Sequence, residues 1–140
     1  LGLNKQRMTG GCGEAIVVAE FLKRGVPVYQ PVVDIGADLV VDFNGKLQRV
    51  QVKSSVDDRK KVCFHLGRRN PDRSGGHCWL SYEDGELDWY AICCLGHGYT
   101  ALIPAKCAGL SLTFDGPELS QRLKDMEIGT VVDRILEENE

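Results

Sequence analysis

The sequence predicts an α/β (α+β) domain, a mixed β-sheet flanked by helices, and three observations predict it. An amphipathic pattern at helical spacing comes early, around residues 13–24. A tight hairpin of β-branched strands follows at 37–53, and a nearly continuous apolar run at 87–95 then reads as a central strand. Helical patterns return only after residue 117. Helix, strands, hairpin, strands and helices in that order describe a sheet with helices packed against it. There is no internal repeat, low-complexity block or convincing boundary, so residues 1–140 read as a single domain. With 43% hydrophobic residues, a chain of this length can bury a real core.

Taken in order, residues 1–12 are polar and glycine-containing and read as loosely ordered. In the first helix, Ala15, Val18, Ala19 and Leu22 form a stripe at i, i+3, i+4 and i+7, which Ile16 and Phe21 widen. Lys23, Arg24 and Gly25 make a stop, two cations at the negative end of the dipole and then a glycine. Residues 26–33 read as a strand interrupted by Pro27 and Pro31, hence an edge or irregular one. The hairpin comes next. Residues 61–66 alternate like a short strand, and residues 67–76 read as a polar, basic loop. After the central strand, Gly96-His97-Gly98 turns the chain into a strand at 99–103, closed by Pro104. Pro117 opens a helix to about Met126, and Thr130 caps a second, short one.

The hairpin carries the chemistry. Asn44-Gly45 joins two strand-like runs, and both residues tolerate the positive φ of a type I′ turn. A two-residue loop pairs Phe43 with Lys46, which sets Asp38 opposite Gln51 on one face. Lys53, two residues on, points the same way. Leu39, Val41, Phe43, Val50 and Val52 fall on the other face, as a core surface should. A carboxylate, an amide and an amine therefore converge where burial does not account for them. Taken singly, each has a plainer role: Asp38 as a solubilising edge charge, Gln51 and Lys53 as solvated cross-strand neighbours.

An Asp followed thirteen residues later by Gln-x-Lys resembles the PD-(D/E)XK nuclease superfamily. It is most similar to the branch whose middle acid is a glutamine, found among homing endonucleases associated with group I introns. The resemblance is detailed over residues 5–55 and looser through 84–91 and 101–104. Two positions depart from the usual motif: Gln51 stands for the acid, and Ala37 for the proline before Asp38. The resemblance implies a restriction-endonuclease-like core and a metal-dependent DNA endonuclease. A Holliday-junction-resolvase-like nuclease and a catalytically silent DNA-binding or assembly module stand as alternatives.

Phosphodiester hydrolysis needs an activated water, stabilisation of charge on the phosphate oxygens, and help for the leaving oxygen. Mg²⁺ serves these needs and takes hard oxygen ligands. Asp38, the Gln51 side-chain carbonyl and the Val52 backbone carbonyl are the candidate ligands, with Mn²⁺ able to substitute for Mg²⁺. Lys53 would orient the attacking water or meet charge on the phosphate. In the family, an acid at the start of the first helix reaches metal-bound water. Glu14 is the candidate here, with Glu20 as runner-up; near a helix N-terminus, Glu14 could also simply answer the dipole.

The net charge of −3 and pI near 5.6 do not announce a nucleic-acid binder, but a local basic strip can suffice. Arg59, Lys60, Lys61, Arg68, Arg69 and Arg73 form such a strip and are the candidate contacts to double-stranded DNA. One site cuts one strand at a time, so double-strand cleavage implies a homo-oligomer, a dimer or tetramer. The six cysteines lack zinc-ligand spacing with the histidines and read as reduced and mostly buried. No apolar run is long enough to span a membrane and no signal peptide is visible, which fits an intracellular, cytoplasmic protein. A start at Leu1 rather than Met is what a trimmed chain, or a piece of a longer one, would show.

Overall fold

The computed structural model describes residues 4–66, 68–71, 77–80, 86–109, 111–115 and 121–139; of 68–71, 77–80, 115, 121 and 122 it describes the backbone alone. The chain runs α1 (Lys5–Leu22), β1 (Val28–Tyr29), β2 (Leu39–Phe43), β3 (Lys46–Ser55), β4 (Lys61–His65), β5 (Arg68–Pro71), β6 (His77–Leu80) and β7 (Trp89–Cys94). It continues through β8 (Tyr99–Pro104), α2 (Ala105–Ala108), β9 (Ser111–Asp115), α3 (Gln121–Asp125) and α4 (Ile128–Glu138). The main sheet has the order β1-β2-β3-β7-β8. Its β3–β7 pairing is parallel and the others are antiparallel, so the expected mixed sheet is present.

The hairpin forms as the turn chemistry requires. Asn44 and Gly45 take φ of 54° and 96°, and Phe43 pairs with Lys46. The apolar run at 87–95 becomes β7, central between β3 and β8. The proline-broken stretch yields only the two-residue β1 at the sheet edge.

The first helix differs from the sequence expectation in start and in facing. It begins at Lys5, because Asn4 Oδ1 accepts the N–H groups of Gln6 (2.9 Å) and Arg7 (3.4 Å). Glycines at 10, 11 and 13 each cost roughly 1 kcal/mol of helix propensity, so local sequence argues for a later start. The buried face is Gly13, Val17 and Phe21, while Ala15, Ala19 and Leu22 lie outside and Ile16 and Val18 at the flank. The helix is rotated so that a glycine, not the alanine stripe, meets the sheet.

Other corrections concern the second half. Residues 68–71 are not loop but β5, paired antiparallel with β6. β9, unexpected from sequence, pairs with β4. Helix α3 is described from Gln121, and Pro117 lies outside the described residues. Glu127, not Thr130, caps α4: its carboxylate accepts the N–H groups of Gly129 (2.9 Å) and Thr130 (3.0 Å).

Two cores sandwich the sheet. Leu39, Val41, Phe43, Val50 and Val52 pack with Val17 and Phe21 of α1 and Val131 and Val132 of α4. Tyr90, Ile92, Ala101 and Ile103 face the other way, against Val62 and Phe64 of β4 and Phe114 of β9. Arg24 ties the helices together, bonding Glu20 at 2.7 Å and Asp133 at 3.4 Å. The described cysteines 12, 63, 93, 94 and 107 are free, but only Cys93 and Cys94 are buried. The expectation of mostly buried cysteines therefore fails, since Cys63 sits on the outer side of alternating β4 and Cys12 on the outer face of α1. Among the described residues no helix is long and apolar enough to cross a membrane.

Candidate active site

The site grows from the place where β2 stops and β3 goes on. The last rung of the hairpin is Leu39 with Val50, and the Asp38 N–H still reaches the Val50 carbonyl at 3.0 Å. The Asp38 side chain then takes over from the ladder: Oδ2 accepts the Val52 N–H at 2.8 Å. A strand residue's N–H and C=O leave on the same edge, so the Val52 carbonyl also faces the Asp38 side. The parallel register sets Gln51 beside Tyr90 and Lys53 beside Ile92, on the face away from α1. Asp38, Gln51 and Lys53 thus gather at one corner of the sheet, and Val50 and Val52 are buried on the opposite face.

Glu14 joins them from the helix layer. It lies in the middle of α1 rather than at its N-terminus, so the helix dipole does not explain it. Helix α1 crosses β3 at Ser54, where Gly13 sits against the serine side chain, and β3 has no β2 partner there. Glu14 is close enough to Asp38 for the two charges to interact. The runner-up, Glu20, is held by Lys23 (2.8 Å) and Arg24 (2.7 Å).

The electrostatics are those of a crowded anionic corner. Burial, and then the Asp38 charge, push the Glu14 carboxyl up. Burial also pushes Asp38 up, helped by Asp34 and opposed by the Val52 N–H and Lys53. Burial pulls Lys53 down, while Asp38 acts to keep it protonated. The Gln51 carbonyl oxygen Oε1 is buried and has no hydrogen-bond partner among the described residues. Such an oxygen is costly unless something else occupies its lone pairs.

These donors fit a hard divalent cation: the Asp38 carboxylate, the orphaned Gln51 oxygen and the Val52 carbonyl are all oxygens. No three His, Cys, Asp or Glu side chains come together as a ready ligand shell among the described residues. The donor set here is poorer in charge and depends on neutral oxygens.

Asp34 was not expected from sequence. Its carboxylate accepts the Gly36 N–H at 2.9 Å, and its charge acts on Asp38. Nothing in the local pattern marks it, because loop shape brings it there.

Of the expected DNA contacts, Lys60 and Lys61 are exposed. Arg59 is exposed but engaged with Asp57 at 2.6 Å, which holds the Asp57 carboxyl down at about 2. Arg68 and Arg69 lie on β5 by their backbone, and Arg73 is outside the described residues.

The mixed sheet between two cores has the restriction-endonuclease-like fold, and acid, amide and amine lie at the open corner of its hairpin with a helical acid beside them. The chain belongs to the PD-(D/E)XK endonuclease family, whose model matches residues 4–128. Among solved structures it is similar to that of a bacterial homing endonuclease, I-Ssp6803I, with a TM-score of 0.77 at 19% sequence identity. That match covers 97% of this chain and 96% of the other. No curated protein matches the chain.

Proposed function

We propose that this protein is a Mg²⁺-dependent endonuclease that hydrolyses phosphodiester bonds of double-stranded DNA, of the homing-endonuclease type. The observation that carries the reading is the buried Gln51 Oε1, without a partner among the described residues, in the corner that holds Asp38 and Lys53. Asp38, Gln51 and the Val52 carbonyl would hold the metal ion, and Glu14 would reach it through water. When bound, the ion would polarise the phosphate and lower the pKa of a ligand water. Asp38 is fixed for this by the Val52 N–H on Oδ2, and Oδ1 would ligate. Lys53, half-buried and inclined to give up its proton, would hold the attacking water in line with the phosphate. Glu14, inclined to keep a proton, would exchange one with water at the site.

In this reading residues 1–140 act as one nuclease domain, and Lys60, Lys61 and the arginines 59, 68, 69 and 73 supply phosphate contacts. Cutting both strands takes two copies, so the working form is a homo-oligomer. The test is nicking of supercoiled plasmid with Mg²⁺ or with EDTA, beside an Asp38→Asn control. Mg²⁺-dependent nicking lost in the control supports the reading; a folded protein that never nicks makes it a silent binding module. A four-way junction cut in preference to linear duplex would favour a resolvase.

A further inference from the structure

One helix–strand contact is closer than any side chain would permit. A Cβ placed on Gly13 would lie 1.7 Å from Ser54 Oγ, 2.9 Å from Ser54 Cβ and 3.5 Å from Cys93 Sγ. Turning the serine hydroxyl away removes the first clash but not the second. Gly13 has no positive φ, so only space asks for glycine there. An alanine would favour the helix by roughly 1 kcal/mol, and that gain is forgone.

The contact is also fastened by polar groups. Cys93 Sγ donates to the Gly13 carbonyl at 3.6 Å and hydrogen-bonds Ser54 and Thr100. Burial keeps that thiol protonated, pushed up to about 11, so it remains a donor. Gly13 is thus seated on β3 and latched to β7, and the next residue is Glu14.

We propose that Gly13, seated on Ser54 and latched by Cys93, is a positioning residue that sets how far Glu14 reaches into the site. Glu14's part rests on the nuclease reading above, whereas the seating is a property of the fold. Because Ser54 Cβ cannot rotate away, a Gly13→Ala side chain must lift the helix by at least about half an ångström to reach ordinary contact distance. A displacement of that size is enough to misplace a group in an active site.

The test compares the parent with Gly13→Ala, Gly13→Ala/Ser54→Gly and Val17→Ala, by plasmid nicking, Mn²⁺ calorimetry, thermal melting and crystallography. Gly13→Ala should lower kcat about tenfold or more at saturating metal and DNA, with the KM for DNA unchanged. The double variant, which removes both serine atoms that clash, should return kcat to within about threefold of the parent. Val17→Ala, a cavity one turn away, should lower the melting temperature and leave kcat alone. Crystals should show residues 13–14 lifted from β3 in Gly13→Ala and reseated in the double variant.

A Gly13→Ala protein that cuts like the parent overturns the proposal, as does a loss that the double variant does not recover. If Gly13→Ala does not fold, the double variant must still fold and cut, and its failure is equally fatal. If the parent itself never cuts, the nuclease reading falls alone, and the crystal comparison still decides the seating: an unmoved helix refutes it.

Discussion

Replacing Gln51 with methionine should make the metal-free protein more stable while abolishing its metal-dependent cleavage. The side chains are similar in length, and methionine fills irregular spaces without strain. What changes is Oε1, a buried carbonyl oxygen with no partner among the described residues. Leaving such a group unsatisfied costs about 1–3 kcal/mol. Gln51 as a whole is only partly buried, so the lower half of that range applies. In a chain of 140 residues, about 1–2 kcal/mol corresponds to a rise of roughly 3–8 °C in Tm. Urea unfolding in EDTA should move to a higher midpoint with an unchanged slope. Added Mg²⁺ should then stabilise the parent, by linkage, more than the variant. A variant less stable than the parent in EDTA would show that Oε1 already has a partner and is not an open position for a cation.

Asp38→Asn keeps an oxygen for the Val52 N–H and should fold, yet lose cleavage by about 10³-fold, the rate equivalent of several kcal/mol; near-parent nicking would remove Asp38 from its role. In EDTA the same variant reads the sign of the Asp38 shift. A raised carboxyl makes a stability contribution that is complete below the unfolded pKa and lost as pH rises through the folded one. The stability advantage of Asp38→Asn over the parent should therefore grow as pH rises through that window, and urea unfolding across pH should show no such growth if Asp38 is solvated. Neutralising Lys60 and Lys61 together should flatten the log–log salt dependence of duplex binding by about 1.8, at ~0.9 per lost phosphate contact; an unchanged slope would place the DNA elsewhere.

What could be read in advance was what local rules fix. Asn44-Gly45 sets the turn, the turn sets the register, and the register puts Asp38, Gln51 and Lys53 on one face. Each step involves neighbours in sequence. The facing of α1 was misread because the hydrophobic pattern weighs side chains, and the residue that decides the packing, Gly13, has none. β9 was missed for a related reason: Ser111–Asp115 is a strand through its pairing with distant Lys61–His65. Glu14 does interact with the Asp38 charge, but the local reason for expecting it, a place at the helix start, does not hold, since the helix starts nine residues earlier. Asp34 could not be found at all, because only the fold of the preceding loop brings its charge to Asp38.

The glutamine at position 51 makes physical sense in that company. Glu14 and Asp34 each act on the charge of Asp38 or feel it, and both Glu14 and Asp38 resist ionisation there. A further carboxylate at position 51 would have to be desolvated beside Asp38, with Lys53 partly buried and held less firmly protonated. An amide offers the same oxygen without that charge, at the lesser cost of one unsatisfied acceptor when metal is absent. Gln51→Glu should consequently remain active and bind Mg²⁺ more tightly by calorimetry, because the ion meets an added negative charge. Without metal it should be less stable than the parent at neutral pH, and the deficit should shrink as pH falls and the cluster takes up protons. Weaker Mg²⁺ binding in Gln51→Glu would mean that position 51 faces the cluster without touching the ion, and the metal would then have to rest on Asp38 and the Val52 carbonyl alone.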